Sequence, residues 1–276
     1  MSKLPLLIDA EEIKQLDTSL IRFVDLGRAS IYKQLHLQNA ISLSPKQLVR
    51  QFEESTGLLP TEQDLLALVD ILQISPQHHV IAYDDEGGGW ASRLIWTLHC
   101  MGFYNASLLN GGIHACITAG LEMSNETVQL ETVAQLFEPD FSQIDKNRIE
   151  YSELLHRVQS QNIQLWDCRS LEEFTGEKRT ARRVGHMPKA IHFDWLNLFD
   201  RENDLKLKDL AYIRQQLTAL GLDLTQPTVV YCQSHHRSSL AYLVAKLLDC
   251  PVRAYDGAWS EWGNQSDSLI ESGVNP

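Results

Sequence analysis

Residues 228–248, TVVYCQSHHRSSLAYLVAKLL, are the stretch that determines the fold class of this chain. Residues 229–231 follow a Gln-Pro pair that breaks secondary structure, and they are too short and too rich in β-forming side chains for a helix. From Ser238 onward, apolar residues recur at helical spacing, and another short apolar segment follows at residues 252–255. A strand, a helix and a strand joined by such short connections predict a parallel sheet covered by helices.

The order of segments around this stretch occurs a second time, nearer the start of the chain, which indicates an internal duplication. Residues 80–83, 90–100 and 106–109 repeat the strand, the helix and the strand. Matching residues follow one another in the same order in both halves: Asp25 and Asp167, His36 and His186, Tyr83 and Tyr231, and Gly111 and Gly257. Two unrelated α/β domains with similar strands are the alternative explanation.

The duplication predicts an α/β chain of two tandem domains, each a parallel sheet flanked by helices. A polar, acidic stretch with one proline, at about residues 122–146, has no clear strand pattern and separates the two halves. We therefore predict a first domain over residues 1–125, a linker over residues 126–145 and a second domain over residues 146–276.

The composition of the chain restricts its location and its partners. The 276 residues include 24 Lys and Arg against 36 Asp and Glu, a formal net charge of −12, so nucleic acid and anionic membranes are not expected partners. No apolar run is long enough for a membrane span, and the N-terminus has no secretory pattern. The five cysteines are widely spaced without a CxxC pair, which favours reduced thiols over disulfides or zinc. We expect a cytoplasmic monomer.

Cys232 is the candidate catalytic nucleophile, because it lies at the carboxyl end of the predicted strand at residues 229–231, where parallel sheets bind their ligands. The thiolate is the reactive form of cysteine. A loop that leads into a helix offers it backbone N–H groups and the positive end of the helix dipole. The alternative is an inert buried thiol, which is the role expected of the other four cysteines.

The candidate substrate-binding residues follow directly in the same loop. They are Gln233, Ser234, His235, His236 and Arg237. Their side chains supply hydrogen-bond donors and at least one fixed positive charge, which would hold a small anion in spite of the net negative charge of the chain. The alternative is a solvated turn without a ligand.

The first half has Asp84 where the second half has Cys232, followed by two more acidic residues and three glycines. A carboxylate does not perform thiolate chemistry, so we predict a first domain that keeps the fold but lacks the nucleophile; a metal site on these carboxylates is the weaker alternative. The basic residues within 178–189 are expected to form a solvated loop, unless that loop folds over Cys232. Because His36 and His186 recur in both halves, we expect them to hold a turn rather than to catalyse.

Four motifs of the second half resemble those of the rhodanese family. They are residues 166–174, WDCRSLEEF; residues 185–191, GHMPKAI; the loop that begins at Cys232; and residues 256–262, DGAWSEW. Only the second copy of the duplicated pattern carries the cysteine. In these respects the chain is similar, over nearly its whole length, to a tandem-domain rhodanese, a thiosulfate sulfurtransferase, and the resemblance implies that the second domain is the catalytic one.

The resemblance also implies a double displacement without a metal or an organic cofactor. The Cys232 thiolate takes the outer sulfur of thiosulfate, sulfite leaves, and cyanide or a thiol then accepts the sulfur from a Cys232 persulfide. The loop Cys-Gln-Ser-His-His-Arg differs from the loops of the animal thiosulfate and 3-mercaptopyruvate enzymes and resembles those of some bacterial two-domain rhodaneses. Glu173 stands where the animal enzymes have a substrate-binding arginine, so 3-mercaptopyruvate is an alternative donor.

Two other functions fit parts of this pattern. Cysteine-dependent phosphatases of a related fold place five residues between the cysteine and an arginine, whereas four residues separate Cys232 from Arg237, a loop that suits a single sulfur better than phosphate. A non-enzymatic persulfide carrier would use the same cysteine but would accept sulfur poorly from free thiosulfate.

Overall fold

The computed structural model of the chain describes residues 4–274, which form two compact units. The first unit consists of the chain up to Leu48, Pro60–Ile144 and Phe199–Leu207. The second unit consists of Val49–Leu59, Asp145–Leu198 and the chain from Lys208 onward. Each unit therefore includes one short segment from outside its own half of the sequence.

The strands are short, with two to five residues each. In chain order they are β1 (Leu7–Ile8), β2 (Ile21–Asp25), β3 (His36–Leu37), β4 (Ile41–Ser42), β5 (Arg50–Phe52), β6 (Ser55–Leu58), β7 (His79–Tyr83), β8 (Ala106–Leu109), β9 (Met123–Ser124), β10 (Gln164–Asp167), β11 (Ile191–His192), β12 (Thr228–Tyr231) and β13 (Val252–Ala254).

The helices alternate with these strands. In chain order they are α1 (Ala10–Ile13), α2 (Ala29–Tyr32), α3 (Glu62–Leu72), α4 (Gly89–Cys100), α5 (Gly112–Ala119), α6 (Ile144–Asn147), α7 (Tyr151–Gln159), α8 (Leu171–Thr175), α9 (Leu210–Ala219), α10 (Arg237–Leu247) and α11 (Ala258–Trp262). Short 3₁₀ turns form at Pro45–Leu48, Phe141–Gln143 and Trp195–Asn197.

Each unit contains one parallel sheet. The strand order is β1-β8-β7-β2-β4 in the first unit and β11-β10-β12-β13 in the second. Parallel neighbours need a crossover connection, and α4 between β7 and β8 and α10 between β12 and β13 provide it. The structure therefore confirms the predicted α/β class. Two antiparallel pairs, β3 with β9 and β5 with β6, lie outside these sheets.

Residues 228–248 fold as predicted, into a strand, a loop and a helix. β12 is buried along its whole length, and α10 buries its side chains over residues 238–245. A strand with helices on both faces must be apolar at every position, which explains the continuous TVVY run. Within residues 4–274, every helix is too short or too polar to cross a lipid bilayer.

The duplication is visible in equivalent hydrogen bonds. The hydroxyl of Tyr83, at the end of β7, accepts the backbone N–H of Leu37 at 3.0 Å. The hydroxyl of Tyr231, at the end of β12, accepts the N–H of Met187 at 3.2 Å. Both pairs join a central strand to the turn that follows the matching histidine, so the internal repeat is confirmed at the level of single bonds.

The two matching histidines, His36 and His186, hold equivalent turns. Each ring stacks on an aromatic ring, that of Tyr32 at 3.8 Å and that of Phe174 at 3.7 Å between centroids. In each case Nδ1 also bonds the backbone carbonyl of the same aromatic residue, at 2.7 and 2.9 Å. Both histidines are buried, and their structural role is confirmed.

The segment between the two halves is attached to the first unit. β9 lies within residues 122–146, for which the polar composition indicated no strand, and that expectation was wrong for Met123–Ser124. Farther along, the N–H of Phe137 donates to the carbonyl of Ile74 at 2.8 Å. Backbone groups form these bonds whatever the side chain, so composition did not reveal them.

Candidate active site

Cys232 lies directly after β12, at the start of the loop that leads to α10. Its carbonyl accepts the N–H of Trp259 at 2.9 Å, and the carbonyl of Gln233 accepts the N–H of Ser260 at 2.9 Å. Both donors belong to α11, so this short helix anchors the first two residues of the loop. The strand and the two helices therefore fix the cysteine at the carboxyl edge of the sheet.

The sulfur of Cys232 is fully buried but lies against polar groups. The hydroxyl of Ser238 donates to it at 3.4 Å, and the backbone N–H groups of Ser234 and Ser238 also bond it. Burial by itself raises the pKa of this thiol, but the charge of Arg237 and these hydrogen bonds more than offset burial and lower the pKa below its ordinary value. The environment therefore favours the thiolate, which is the nucleophilic form.

Arg237 is held in place by a buried carboxylate. Its two terminal nitrogens donate to the carboxylate oxygens of Glu173 at 2.6 and 3.0 Å, and the side chain of Glu173 is only 4% exposed. Burial raises the pKa of Glu173, but the hydrogen bonds and charge of Arg237, the N–H of Ser170 and the charge of Arg169 together outweigh burial and lower the pKa to about 2. The pair therefore keeps a fixed guanidinium charge beside the loop.

The sequence did not reveal this partner of Arg237. The motif around Glu173 indicates a helix start, because its carboxylate also caps the backbone N–H of Ser170 at 3.2 Å. That signal is local and does not point to a residue on α10. Ser238 was likewise expected only as a helix residue, although its hydroxyl contacts the sulfur.

The two histidines of the loop have different environments. His235 is fully buried, has a left-handed backbone with φ of 53°, and places Nδ1 at 2.8 Å from the hydroxyl of Ser238. With its N–H directed at that oxygen, the ring leaves the hydroxyl hydrogen for Cys232. His236 lies just before α10, with its ring 5.5 Å from that of Trp195. Direct contact of either histidine with a substrate stays a prediction.

Gln233 and Ser234 connect the loop to two other segments of the second unit. The amide nitrogen of Gln233 donates to the carbonyl of Thr180 at 3.0 Å. The carbonyl of Ser234 lies against Gly57 in the hairpin of β5 and β6, so closely that a Cβ on Gly57 would be 2.1 Å from that oxygen. The sequence did not predict the contact of this hairpin with the loop, because Gly57 and Ser234 are far apart in the chain.

The basic segment of residues 178–189 is fixed by contacts with the protein. Arg183 donates to the carbonyl of Ser268 at 2.9 Å, and Arg182 pairs with Glu54 of the hairpin at 2.9 Å. The segment does touch the Cys232 loop, through the Thr180 carbonyl rather than through one of these cations.

Asp84 occupies the position in the first unit that Cys232 occupies in the second. One carboxylate oxygen accepts the N–H groups of Glu86 and Gly88, at 3.1 and 2.8 Å. The other accepts those of Trp90 and Ala91, both at 3.0 Å. Burial raises the pKa of Asp84, and the hydrogen bonds from Ala91, Gly88 and Glu86 act against that effect. This copy of the loop is therefore occupied by a side chain of its own.

Comparison with known proteins gives one family for both halves of the chain. The family model described as "Rhodanese-like domain" matches residues 9–119 and 150–265. A thiosulfate sulfurtransferase of Pseudomonas aeruginosa is 35% identical over 273 residues, and one of Azotobacter vinelandii is 34% identical over 273 residues, each with 98% of both chains covered. The structure of an anaerobic ergothioneine biosynthesis enzyme from Chlorobium limicola has a TM-score of 0.85 at 22% identity, covering 98% of this chain and 70% of that one, and shares the fold.

Proposed function

The chain belongs to the rhodanese family, and we propose that it transfers the outer sulfur of thiosulfate to cyanide or a thiol acceptor through a persulfide on Cys232. The observation that carries this proposal is the environment of the Cys232 sulfur, which is bonded by Ser234 and Ser238 and lies in the field of Arg237. Full-length relatives named thiosulfate sulfurtransferases support sulfur transfer and favour this donor.

In the first half-reaction the Cys232 thiolate attacks the outer sulfur of thiosulfate. A bond forms between these two sulfurs, the sulfur–sulfur bond of thiosulfate breaks, and its electron pair leaves with sulfite. The lowered pKa of Cys232 supplies the thiolate. Arg237, whose side chain is still 19% exposed, supplies a positive charge for the dianion.

In the second half-reaction the acceptor attacks the outer sulfur of the persulfide, and Cys232 leaves as a thiolate. The N–H groups of Ser234 and Ser238 and the Ser238 hydroxyl stabilise anionic sulfur in both half-reactions, because they are already in place before the reaction. The two displacements balance in atoms and charge without a metal or an organic cofactor.

Donor binding is assigned to the five residues that follow the nucleophile. They are Gln233, Ser234, His235, His236 and Arg237, with Arg237 as the charged member and Ser234 as a backbone donor. We place the reaction in the cytoplasm, because all five cysteines are free and a reducing compartment keeps them so. We propose a monomer as the acting form.

Intact-mass spectrometry at short times after addition of thiosulfate tests the proposal. We expect the chain to gain one sulfur atom and to release about one equivalent of sulfite, as covalent catalysis requires. Cys232→Ala should do neither. Cys250→Ala removes another buried thiol of the second unit, and this variant should gain the sulfur atom like the natural chain. Cyanide should then remove the added sulfur as thiocyanate, with ping-pong kinetics.

Other outcomes would replace the proposal. Sulfur gain from a cysteine desulfurase but not from thiosulfate would indicate a persulfide carrier, and gain from 3-mercaptopyruvate alone would identify that compound as the donor. Strong Cys232-dependent hydrolysis of an aryl phosphate would indicate a phosphatase.

A further inference from the structure

Cys168 is a second thiol at the end of the strand next to that of Cys232. β10 and β12 pair in parallel up to Asp167 and Tyr231, and the two cysteines are the residues that follow. The N–H of Cys168 donates to the carbonyl of Tyr231 at 2.9 Å, so the two segments are still adjacent just after their strands end. Residues at the same register position of parallel strands point to the same face of the sheet, which places both thiols on one face.

The backbone spacing of the two strands falls within the range that disulfides span. Neighbouring strands lie about 4.8 Å apart, and disulfides join residues whose Cα atoms are about 4.4–6.8 Å apart. Both cysteines are fully buried. Burial, and then the charge of Cys232, raise the pKa of Cys168, which therefore stays a protonated thiol beside the reactive sulfur.

We propose that Cys168 is a resolving thiol: when no acceptor arrives, it attacks Cys232 in its persulfide form, releases hydrosulfide and closes a Cys168–Cys232 disulfide. This inference rests on the proposed function, because it starts from the persulfide. The outer sulfur of the persulfide takes the thiol proton of Cys168, the Sγ of Cys168 then bonds to the Sγ of Cys232, and the bond from Cys232 to the outer sulfur breaks, so that hydrosulfide leaves.

The step needs no external oxidant. The outer sulfur is reduced to sulfide, while the two cysteine sulfurs are oxidised to the disulfide. Without an acceptor, the persulfide form of the protein thus loses its outer sulfur. The protein then stays inactive until a dithiol reduces the disulfide. The disulfide also keeps Cys232 from irreversible oxidation.

The chain offers a matched control for this role in the same unit. The thiol of Cys250 contacts the hydroxyl of Thr228 at 3.6 Å, at the start of β12, whereas Cys232 follows the end of that strand. Cys250 is therefore a buried thiol next to the same strand but at its opposite end.

A single-turnover reaction with thiosulfate, in the absence of an acceptor, tests the step. Reduced protein, freed of small thiols, is incubated anaerobically with thiosulfate, and sulfite, sulfide and intact mass are followed. We expect the natural chain to release about one equivalent of sulfite and then about one equivalent of sulfide. It should end two hydrogens lighter than the reduced chain, and peptide mapping should link Cys168 to Cys232.

Cys168→Ser separates the resolving role from a structural one. The thiol of Cys168 contacts the carbonyl of Trp166 at 3.7 Å, and a serine hydroxyl can replace it as a donor but cannot form a disulfide. We expect this variant to release sulfite like the natural chain, keep the added sulfur and release no sulfide. Cys250→Ala should behave like the natural chain.

Two results would overturn different parts of this account. Sulfite release with a stable added sulfur in both the natural chain and Cys168→Ser would overturn the role of Cys168 and leave the proposed function intact. Absence of sulfite release from every variant would overturn the proposed function. The geometry is also tested on the protein without a persulfide. There the thiol oxidant diamide should link Cys168 to Cys232, and failure to do so would overturn the inference.

Discussion

Arg237 serves two anions with one guanidinium group. Its terminal nitrogens donate to Glu173, and its charge lowers the pKa of Cys232 against the effect of burial. Because Glu173 accepts hydrogen bonds from both terminal nitrogens in a bidentate pair, the position of the guanidinium charge relative to the sulfur is set before a substrate arrives. The reactivity of the thiol thus depends on a buried glutamate that binds the arginine. A lysine would supply the charge without the bidentate pair.

Replacement of Arg237 tests this charge balance. In Arg237→Gln the thiolate loses a fixed positive charge while its burial remains, so we expect the pKa of Cys232 to rise by about 1 to 3 units. Below that higher pKa, sulfite release from thiosulfate should slow about tenfold for each unit, because the thiolate is the reactive form. The pKa is read from the ultraviolet absorbance of the thiolate, as the difference between each protein and the same protein carrying Cys232→Ala.

Arg214→Gln is the matched control for this experiment. Arg214 donates to the carbonyl of Leu248, just beyond the carboxyl end of α10, so this substitution removes the same charge at the far end of the helix. We expect it to leave the pKa of Cys232 unchanged. An equal pKa in Arg237→Gln and the natural chain would contradict the role given to Arg237.

The two copies of the strand, loop and helix share their fold but differ in the side chain that their loops surround. After β7 the loop directs four backbone N–H groups at the Asp84 carboxylate. After β12 the corresponding loop directs N–H groups and a hydroxyl at the Cys232 sulfur. Both copies direct hydrogen-bond donors at a side chain of their own loop, so the element provides the donors and the residue at its start decides whether a carboxyl group or a thiol receives them.

The hairpin of β5 and β6 is a second element that controls the site. The backbone N–H of Thr56 donates to the hydroxyl of Ser260 in α11 at 3.2 Å. The N–H of Leu59, directly after β6, donates to the carboxylate of Asp256 at 2.7 Å. In Gly57→Ala the new Cβ would be 2.1 Å from the carbonyl oxygen of Ser234, so the hairpin or the loop must shift. Because the N–H of Ser234 bonds the sulfur, we expect kcat/KM for thiosulfate to fall about tenfold or more.

A neighbouring substitution controls for damage to the hairpin itself. The side chain of Thr56 is exposed, and its backbone bond to Ser260 survives replacement, so Thr56→Ala should keep the natural rates. Gly57 has a backbone conformation that alanine adopts without strain, which leaves the contact with Ser234 as the cause of any effect. Natural rates in Gly57→Ala would mean that the hairpin moves without disturbing the loop.

The elements that could be predicted from the sequence are those whose signals are local. The strands and helices around Tyr83 and Tyr231 have contiguous apolar patterns, and Cys232 with its five following residues forms one uninterrupted segment. The contact of the hairpin with the loop, the pairing of β9 and the ion pair of Glu173 with Arg237 depend on distant segments, which no local pattern encodes. Sequence reasoning therefore singled out Cys232 as the candidate nucleophile and missed the groups that surround it.

Two opposing electric fields act on the proposed donor as it approaches the protein. The chain carries a net charge of −12, which repels a dianion over a long range. The charge of Arg237 attracts it at short range, from a side chain that is mostly buried. Salt screens exposed charges far more than buried ones, so the two fields respond differently to ionic strength.

Ionic strength therefore tests which field dominates the capture of thiosulfate. Raising potassium chloride from about 10 mM to about 150 mM shortens the Debye length from about 30 Å to about 8 Å, which weakens the long-range repulsion while the attraction by Arg237 persists. We expect kcat/KM for thiosulfate to rise about two- to fivefold. The second half-reaction, assayed with uncharged dithiothreitol as acceptor, should not change. A fall in kcat/KM for thiosulfate would instead mean that exposed cations such as Arg182, whose side chain is 70% exposed, attract the donor to the site.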